Sequence, residues 1–479
     1  MIKTFFFETN NKFTNRLWVY FSIVFLANLL FKITDLGLSA FWYDEIISVQ
    51  SASLDFGHIK HVSEWDKNPP FYYYCLSVWI KLFNDTEFTV RLLSVIFSSL
   101  AGGLLFLIAN KQFNKVTAVV SSLLFISSNV LFYYSHEARA YSLVLLLALL
   151  STYLYFKLKE NPTLKYVALL GVINFLLIYT HYIVGLVLLF QTILMLFYFD
   201  KKQKKYFSIS LLIVLALTAL RFTKKQILLI VDFNSSNNVF WLKKSDIHYL
   251  KEVIGNFLFN NYISIIFSVI ILIVISLVVI KKINKNQFYV VYSICIGCVS
   301  IIILYLLGKF TPIFLDRYLI FALPFLFILI AYGLSFIKYS YIPISLIAML
   351  FVFSVFKMDY KTDKKMDYRN TVSFIKSIKD KNDLIIIKTK DIKPLFCYYY
   401  DKDFFNKQKK DLPEEEHILF CNSWQDIGLD VKKYNRIIVI DSYQEYNSNE
   451  KEFVLKLSEQ KKNYFITDYF KGVKISFYK

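Results

Sequence analysis

The sequence predicts a polytopic α-helical membrane protein with a small C-terminal α/β domain, and two observations support this prediction. Of the 479 residues, 56% are hydrophobic, and the mean hydropathy is +0.46, which is typical of a membrane protein. The apolar residues also form blocks of about 16 to 22 residues between short lysine-rich connectors. These blocks stop near residue 357. We therefore expect a membrane region at 1–357 and a soluble α/β domain at 358–479.

The apolar blocks predict about eleven transmembrane helices, because roughly 20 apolar residues cross the hydrocarbon core. The first block follows Lys3, Lys12 and Arg16 without a small-residue cleavage site, so we expect an uncleaved first helix with a cytoplasmic N-terminus. The lysines of alternate connectors then fall on the cytoplasmic side, as the positive-inside rule requires. The predicted spans are 17–36, 92–110, 116–134, 140–157, 166–180, 182–199, 206–221, 262–280, 287–307, 318–337 and 340–357.

Alternation of these spans places most other ionisable residues on the outer side of the membrane. The two long outer loops are 37–91 and 222–261, and an odd number of spans puts the C-terminal domain on the same side. Loops of this length between packed helices are usually functional or disordered. We interpret 37–91 as a functional loop and 222–261 as a mobile lid.

The region 358–479 alternates helical and extended patterns, which is typical of a small α/β layer domain. Its β-branched and aromatic runs predict strands, and its 3.6-residue periodicities predict helices. The predicted helices are 367–379 and 449–461, and the predicted strands are 383–389, 417–421, 436–440, 464–469 and 473–478.

Charge and cysteine content argue against two classes of protein. The formal net charge is +19, but much of the excess lies in connectors, where membrane topology explains it. No arginine-aromatic module is present, so we expect no nucleic-acid partner. Five cysteines are too few for a disulfide framework.

Asp44 and Glu45 form an acidic pair directly after the first apolar block. Acidic groups at a membrane boundary are costly and are therefore functional candidates. A carboxylate in a partly desolvated pocket can act as a general base. The alternative is a pair that caps the next helix, since acidic residues stabilise a helix N-terminus. Position alone leaves both interpretations open.

Arg139 and Arg317 lie at the outer ends of predicted spans, where the positive-inside rule gives no reason for a basic residue. Guanidinium groups bind phosphate oxygens in a bidentate manner, so both arginines are candidate phosphate ligands. The alternatives are a snorkelling side chain and a structural ion pair with Glu137 or Asp316.

Further polar residues fall on the same side. His136 and His181 occupy outer span ends, where they can contact a substrate. The Pro-Pro pair at 69–70 restricts the backbone that carries Asp66 and Asn68, although an ordinary helix start has the same pattern.

A metal site and a nucleotide site receive little support. His58 and His61 lie in a long polar loop, where histidines are more often solvated than metal-bound. No glycine-rich nucleotide-binding motif occurs. We expect no metal ligands, although a divalent cation is compatible with the chemistry considered below.

Together these residues give the chain a resemblance to the GT-C membrane glycosyltransferases of the protein O-mannosyltransferase and lipid A aminoarabinose transferase superfamily. The shared elements follow one another in the family's order over about 37–325. Relatives often carry a basic or imidazole residue before the Pro-Pro pair, where this chain has Asn68. The matching motifs are Asp44-Glu45, Pro69-Pro70-Phe71-Tyr72-Tyr73, Arg91-Leu92-Leu93-Ser94, Glu137-Ala138-Arg139-Ala140-Tyr141-Ser142-Leu143, His181-Tyr182, and Arg317-Tyr318 with Pro324.

The resemblance implies the GT-C fold and an inverting transfer of a monosaccharide from a polyprenyl-phosphate donor to a lipid, glycan or protein acceptor. The reaction would occur at the outer face of a bacterial cytoplasmic membrane and require no cofactor. Asp44 and Glu45 would be the catalytic carboxylates, and Arg139 and Arg317 would bind the donor phosphate. The implied substrate-binding residues are Asp66, Asn68, Tyr72, His136, Glu137, Tyr141, His181 and Tyr182.

Two other functions predict different features. A transporter or flippase for a lipid-linked or anionic solute would place ionisable residues at mid-membrane and interrupt helices in paired halves. The charges of this sequence lie at span ends instead. A non-catalytic membrane scaffold would tolerate the loss of the Asp44 carboxylate.

Overall fold

The computed structural model describes residues 12–62, 68–222, 245–283, 286–357, 366–407, 416–427, 430–442, 455–459, 464–470 and 472–478. Most of these residues are helical. The helices that precede the C-terminal region are α1 Lys12–Lys32, α2 Tyr43–Ala52, α3 Phe56–Ile59, α4 Phe71–Leu82, α5 Glu87–Gln112, α6 Lys115–Ser127, α7 Asn129–Ser135, α8 Tyr141–Glu160, α9 Leu164–Ile178, α10 Gly185–Tyr198, α11 Lys201–Arg221, α12 Ile247–Phe257, α13 Asn261–Val279, α14 Gln287–Ile294, α15 Ser300–Leu307, α16 Asp316–Leu319, α17 Leu323–Leu334 and α18 Tyr341–Lys357.

The chain is a multi-pass membrane protein. Within the part that the structure describes, six helices are long and apolar enough to cross a bilayer, and a bent pair makes a seventh. Shorter apolar helices cover Leu17–Lys32, Leu164–Ile178, Tyr182–Tyr198 and Tyr341–Val355. Every predicted span therefore coincides with an apolar helix, while the count of eleven membrane crossings stays a prediction.

The predicted span 116–134 is broken in the structure. Helices α6 and α7 meet at an angle of 60°, because Ser128 adopts an extended backbone conformation between them. The Ser128 hydroxyl accepts a hydrogen bond from the Leu131 amide at 3.3 Å and thereby caps α7, which is the usual role of serine at a helix start. The bend leads directly into the segment 135–141, which carries several of the predicted site residues.

The structure describes the predicted lid at 222–261 in part. Residues 247–257 form α12, whose N-cap Asp246 accepts a hydrogen bond from the Tyr249 amide. Residues 223–244 lie outside the described ranges, and so does that part of the lid prediction.

Four membrane helices share a buried network of polar side chains. Gln191 of α10 donates to the Ser151 hydroxyl at 2.7 Å and to the Tyr292 hydroxyl at 3.2 Å. Its carbonyl oxygen accepts from Asn174 at 3.1 Å, and Thr152 contacts the Tyr292 hydroxyl at 3.0 Å. Inside a bilayer a polar group must find its partner within the protein. The network thus joins α8, α9, α10 and α14.

Two compact units make up the chain. One consists of residues 1–34, 56–75 and 91–358, and the other consists of residues 35–55, 76–90 and 359–479. The prediction that 1–357 and 358–479 are separate domains differs from this grouping, because two segments of the first long loop pack with the C-terminal region. As a statement about domains that fold alone, it stays a prediction.

The C-terminal region contains a five-stranded sheet in the order β2-β1-β3-β5-β4. Strand β1 pairs in parallel with β2 and β3, and β5 pairs antiparallel with β3 and β4. The predicted helix 449–461 is described only at 455–459, which are helical. The elements are α19 Tyr368–Ile378, β1 Asp383–Lys388, α20 Lys393–Tyr400, α21 Lys402–Lys407, β2 Ile418–Cys421, β3 Arg436–Asp441, β4 Tyr464–Phe470 and β5 Val473–Tyr478.

The sheet is stable because its central strands are apolar on both faces. All six residues of β1 are buried, as expected for a parallel strand covered on two sides. Leu384, Ile386, Ile437 and Val439 form the core of one face. Cys397 and Cys421 are both buried free thiols.

Replacing Gln191 with leucine should destabilise the membrane region. The change removes the acceptor of the Asn174 amide nitrogen and one hydrogen bond each from Ser151 and Tyr292, which costs about 1–2 kcal/mol in a membrane interior. We expect a lower melting temperature of the purified protein in detergent. The matched control is Thr192→Val on the same helix, since the Thr192 hydroxyl bonds only to the local Leu188 carbonyl among described groups. Equal melting temperatures for the two variants would contradict a stabilising role of the network.

Candidate functional site

The acidic pair begins helix α2. Trp42 is the N-cap residue, and Asp44 and Glu45 lie in the first turn. The Glu45 carboxylate accepts a hydrogen bond from the Trp42 amide at 3.3 Å, and its side chain is buried. Asp44 is only partly buried. Glu45 thus makes the capping contact that was one interpretation of the pair, whereas Asp44 is the carboxylate with access to solvent. A catalytic role for either residue stays a prediction.

Arg139 is a buried guanidinium that contacts the aromatic motif after the Pro-Pro pair. Its side chain is 7% exposed and donates to the Tyr73 hydroxyl at 3.3 Å. The Phe71 amide donates to the Tyr179 carbonyl at 3.2 Å. The chain therefore holds Arg139, the start of α4 and the turn after α9 close together within one compact unit.

His181 lies in that turn and shares its surroundings with both predicted phosphate ligands. Its imidazole is 8% exposed, and its ring centroid is 4.9 Å from that of Tyr318. Burial lowers the pKa of His181 to about 4, and the positive charges of Arg139 and Arg317 lower it further in the same direction. The structure thus brings Arg139, His181 and Arg317 together, with the imidazole neutral near pH 7.

Arg317 stands at the start of α16 beside acidic and aromatic groups. Its guanidinium carbon is 5.5 Å from the Tyr318 ring centroid, and its backbone amide donates to the Asp316 carboxylate at 2.8 Å. The Tyr134 hydroxyl also donates to Asp316. The Asp316 carboxylate therefore accepts from an amide and a hydroxyl.

Glu137 and Tyr141 are deeply buried near the same residues. Glu137 is 2% exposed and Tyr141 is 4% exposed. The Tyr141 ring packs edge to face against Tyr134, with centroids 5.1 Å apart. Burial of a carboxylate is costly unless other groups compensate it, so Glu137 belongs to the polar cluster around Asp316 rather than to the lipid-facing surface.

His136 contacts a different part of the unit. Its Nε2 atom lies 2.8 Å from the Lys32 carbonyl oxygen at the end of α1, and its ring stacks near Phe132. The Lys32 ammonium is itself fully buried. It donates to the Ser98 hydroxyl at 2.8 Å and lies 4.6 Å from the Phe125 ring centroid. Among the residues that the structure describes, no carboxylate pairs with it.

The remaining predicted substrate residues take separate positions. Tyr72 is 1% exposed, and its hydroxyl lies 3.4 Å from the Ser94 hydroxyl. Tyr182 packs beside Phe222, and its buried hydroxyl has no hydrogen-bond partner within the described ranges. Asn68 is partly buried at the start of the Pro-Pro segment. Asp66 lies outside the described residues.

Two residues were missed by sequence reasoning. Tyr73, the neighbour of the predicted substrate residue Tyr72, contacts Arg139, and a Pro-Pro motif alone does not show which side chains of the following helix face a given neighbour. Lys32 lies near the predicted outer end of the first span, where the positive-inside rule disfavours lysine. This position in the sequence already indicates that the lysine has a specific role.

The described residues contain no group of three or more His, Cys, Asp and Glu side chains arranged to hold a metal ion. Cys295 and Cys298 lie in a π-helical turn within an apolar span.

Replacing Lys32 with methionine should raise the melting temperature. The substitution removes a buried ammonium that contacts the Ser98 hydroxyl and the Phe125 ring. No carboxylate among the described residues pairs with it, and a buried charge without an opposite charge is costly. We expect an increase of about 2 °C or more in detergent. Lys338→Met, at an exposed lysine, is the control and should change nothing. A lower melting temperature for Lys32→Met would show that the ammonium stabilises the fold.

Protonation of His181 should destabilise the protein as the pH falls. The ordinary pKa of histidine is 6.5, and in the folded protein the pKa of His181 is about 4. Between pH 6.5 and pH 4 the unfolded chain therefore binds a proton at His181 that the folded chain does not bind. This difference lowers the free energy of unfolding by about 2 kcal/mol at pH 5. We expect His181→Gln to lose less melting temperature than wild type between pH 7.5 and pH 5. Exposed His248 provides the control, His248→Gln, which should behave as wild type.

Comparison with known proteins gives one family match and several structural matches. Residues 67–222 match the model of the dolichyl-phosphate-mannose-protein mannosyltransferase family. No curated protein sequence matches this chain.

The structural matches extend over nearly the whole chain. ArnT from Cupriavidus metallidurans in the apo state is 12% identical, with a TM-score of 0.62 and coverage of 96% of this chain and 97% of ArnT. The same protein bound to undecaprenyl phosphate is 11% identical, with a TM-score of 0.61 and coverage of 96% of this chain and 98% of ArnT. The Archaeoglobus fulgidus oligosaccharyltransferase is 9% identical, with a TM-score of 0.54 and coverage of 87% of this chain and 67% of that chain. With its apolar helices and small C-terminal sheet, the chain therefore has a fold similar to that of ArnT, and residues 67–222 resemble the dolichyl-phosphate-mannose-protein mannosyltransferase family.

Proposed function

We propose that this protein is an inverting glycosyltransferase that moves a monosaccharide from a polyprenyl-phosphate donor to a lipid, glycan or protein acceptor. The observation that carries the proposal is the grouping of buried Arg139, partly buried Arg317 and a buried, neutral His181, whose pKa both arginine charges lower. The two guanidinium groups suit a phosphate whose negative charge grows as the sugar leaves, and the imidazole of His181 adds no positive charge of its own. The similarity to ArnT, which has been solved with undecaprenyl phosphate, supports a polyprenyl donor.

The proposed reaction is a single displacement. The acceptor hydroxyl oxygen attacks the anomeric carbon, Asp44 takes the hydroxyl proton, and the bond between that carbon and the phosphate oxygen breaks. Attack from the face opposite the leaving group inverts the anomeric centre. The polyprenyl phosphate leaves with the bonding electron pair, and Arg139 and Arg317 stabilise its charge. A metal ion is not needed for this charge balance, although a divalent cation is compatible with it.

Asp44 is the better candidate base of the acidic pair. The Glu45 carboxylate is buried and bonded to the Trp42 amide, whereas Asp44 keeps access to solvent. The expected substrate contacts are those of Asn68, Glu137, Tyr141 and His181, with Tyr73 added as the group that orients Arg139. Because Asn68 carries no charge, the donor phosphate would depend on the arginines alone.

The proposed topology follows from the same function. Eleven spans with a cytoplasmic N-terminus would put the segments around Arg139, His181 and Arg317 at the outer face of a bacterial cytoplasmic membrane. The head group of a lipid-linked donor lies at that depth. The C-terminal region would then be extracytoplasmic.

The transport alternative predicts paired interrupted helices. The described residues contain one bent pair, at α6 and α7, and no second pair that mirrors it. The experiment below separates transfer from transport.

Sugar transfer should fail when either proposed group is removed. We expect wild-type protein in proteoliposomes to transfer radiolabel from polyprenyl-phosphate hexose or pentose donors to an acceptor in a membrane extract. Asp44→Asn and Arg139→Ala should each lower the rate about 100-fold or more, because a general base and a charge-stabilising group are each worth that much. The matched controls are Asp55→Asn and Arg221→Ala at exposed sites, which should stay within about twofold of wild type.

Each other outcome has a defined meaning. Transfer by Asp44→Asn at the wild-type rate would exclude Asp44 as the base. Movement of intact labelled donor across the vesicle membrane, without transfer from any donor, would favour a transporter. Equal binding of acceptor and donor by all variants, without either activity, would favour a scaffold.

A further inference from the structure

The backbone that precedes the acidic helix is held by a side chain from far along the chain. Within the unit formed by residues 35–55, 76–90 and 359–479, the Tyr399 hydroxyl accepts a hydrogen bond from the Phe41 amide at 2.7 Å. The same hydroxyl donates to the Glu87 carboxylate at 2.9 Å. Tyr399 lies in α20, and Phe41 lies three residues before Asp44. One hydroxyl thus links both segments of the first long loop to the C-terminal region.

Arg369 of α19 reinforces this link. Its guanidinium donates to the Gly37 carbonyl at 3.3 Å, to the Leu38 carbonyl and to the Glu87 carboxylate at 3.4 Å. The Glu87 side chain is 13% exposed. A carboxylate that accepts from both an arginine and a tyrosine has little freedom to rotate, because a charge-assisted hydrogen bond is stronger than a neutral one. Glu87 is therefore a fixed acceptor for Tyr399.

Tyr398 makes a second set of contacts beside the first. Its hydroxyl donates to the Asp85 carbonyl at 2.8 Å, and its ring packs edge to face against Phe41 with centroids 5.4 Å apart. The Lys402 ammonium pairs with the Asp85 carboxylate at 2.5 Å. Phe41 is fully buried, so both its ring and its amide are immobilised by α20.

Tyr399 is held in the state that can make both bonds. Burial and the Glu87 carboxylate raise the pKa of the Tyr399 hydroxyl, so it remains protonated and donates to Glu87 while it accepts from Phe41. A phenolate would instead face the Glu87 charge. The geometry therefore depends on one neutral hydroxyl between an amide and a carboxylate.

These contacts lie next to the proposed base along the chain. Phe41 is followed by Trp42, whose amide is bonded to Glu45, and then by the first turn of α2, which carries Asp44. The Phe41 amide thus donates to Tyr399 of α20, and the Trp42 amide donates to Glu45 of α2 itself. Both amides that precede the first turn of α2 are therefore held by hydrogen bonds to side chains.

We propose that Tyr399 is a positioning residue for Asp44, so that the C-terminal region takes part in sugar transfer by setting the backbone before the acidic pair. This inference rests on the proposed function. It goes beyond that proposal because it gives the C-terminal region a role in the chemistry. A purely stabilising contact would affect the folded fraction, whereas a positioning contact affects the rate of the chemical step at saturating donor.

Tyr399→Phe and Tyr400→Phe form a matched pair that tests the role. Each removes one hydroxyl from α20. The Tyr400 hydroxyl donates to Glu416 at 2.5 Å and accepts from Lys379 at 3.0 Å, so it also has two partners but does not touch Phe41 or Glu87. The measurements are kcat and KM for a radiolabelled polyprenyl-phosphate sugar, and hydrogen–deuterium exchange of the peptide that contains 41–45, all with the full chain.

Tyr399→Phe should lower kcat about 5- to 10-fold with KM for the donor within about twofold, since loss of one hydrogen bond changes a rate by about that factor. It should also speed exchange of the Phe41 amide. Tyr400→Phe should leave both readouts at the wild-type level. This combination would support the positioning role, because a stability change alone does not separate kcat from KM.

Three results would overturn the inference. Unchanged exchange at Phe41 in Tyr399→Phe would show that the hydroxyl does not anchor this amide. Faster exchange with an unchanged kcat would show an anchor that has no effect on transfer. Equal losses in Tyr399→Phe and Tyr400→Phe would assign the effect to α20 in general. In all three cases wild-type protein transfers sugar, so the proposed function stands. If wild-type protein transferred no sugar, the proposed function itself would be wrong. The exchange measurement would still show whether Tyr399 holds the Phe41 amide.

Discussion

Positive charge buried in a low-dielectric interior must be compensated, and the unit around Arg139 is arranged by that constraint. An isolated guanidinium in such surroundings costs several kcal/mol. Here the Tyr73 hydroxyl contacts Arg139, and the nearby imidazole stays neutral because burial and two arginine charges lower the pKa of His181 to about 4. Two arginine cations and a neutral imidazole thus lie near the carboxylates of Glu137 and Asp316, and the guanidinium groups are the ones suited to an anionic leaving group.

The chain reaches this arrangement by breaking helices at polar residues. Ser128 ends one helix and caps the next at a 60° bend, so the segment that carries Glu137 and Arg139 turns back into the protein. The link at Thr180-His181 is equally short, since the amides of both residues bond to the Leu177 carbonyl. A long loop would expose these side chains, whereas a tight turn keeps them buried and ordered. Burial in turn strengthens their electrostatic interactions.

In the other unit, residues distant in the sequence pack around the acidic helix. Phe41, Glu87 and Tyr399 meet although hundreds of positions separate the first from the last. The sheet stabilises the C-terminal part of this unit independently, because β1 and β3 are buried on both faces. A rigid sheet with attached helices is a firm support for contacts that hold a loop. The sheet thus supports the helix whose side chains hold the loop segments 35–55 and 76–90.

Sequence alone determined the local features of this protein. The length and apolarity of each block predicted the membrane helices, and all of them coincide with helices in the structure, because backbone hydrogen bonding in a bilayer leaves the helix as the only local solution. The β-branched runs at 383–389 and 436–440 predicted two strands for a similar reason. The motifs of the resemblance identified Arg139, His181 and Arg317. In the structure the two arginines lie close enough to His181 for their charges to lower its pKa.

Only the tertiary structure decided how the local features combine. The strand order β2-β1-β3-β5-β4 and the contact of Arg139 with Tyr73 depend on which surfaces pack together. The same holds for the choice of Glu45 as the residue that caps α2. The grouping of 35–55 and 76–90 with the C-terminal region is equally invisible in the chain order. Periodicity and hydropathy report a residue's immediate neighbours, whereas these contacts arise from the fit of side chains that are distant in sequence, and that fit is a property of the folded molecule.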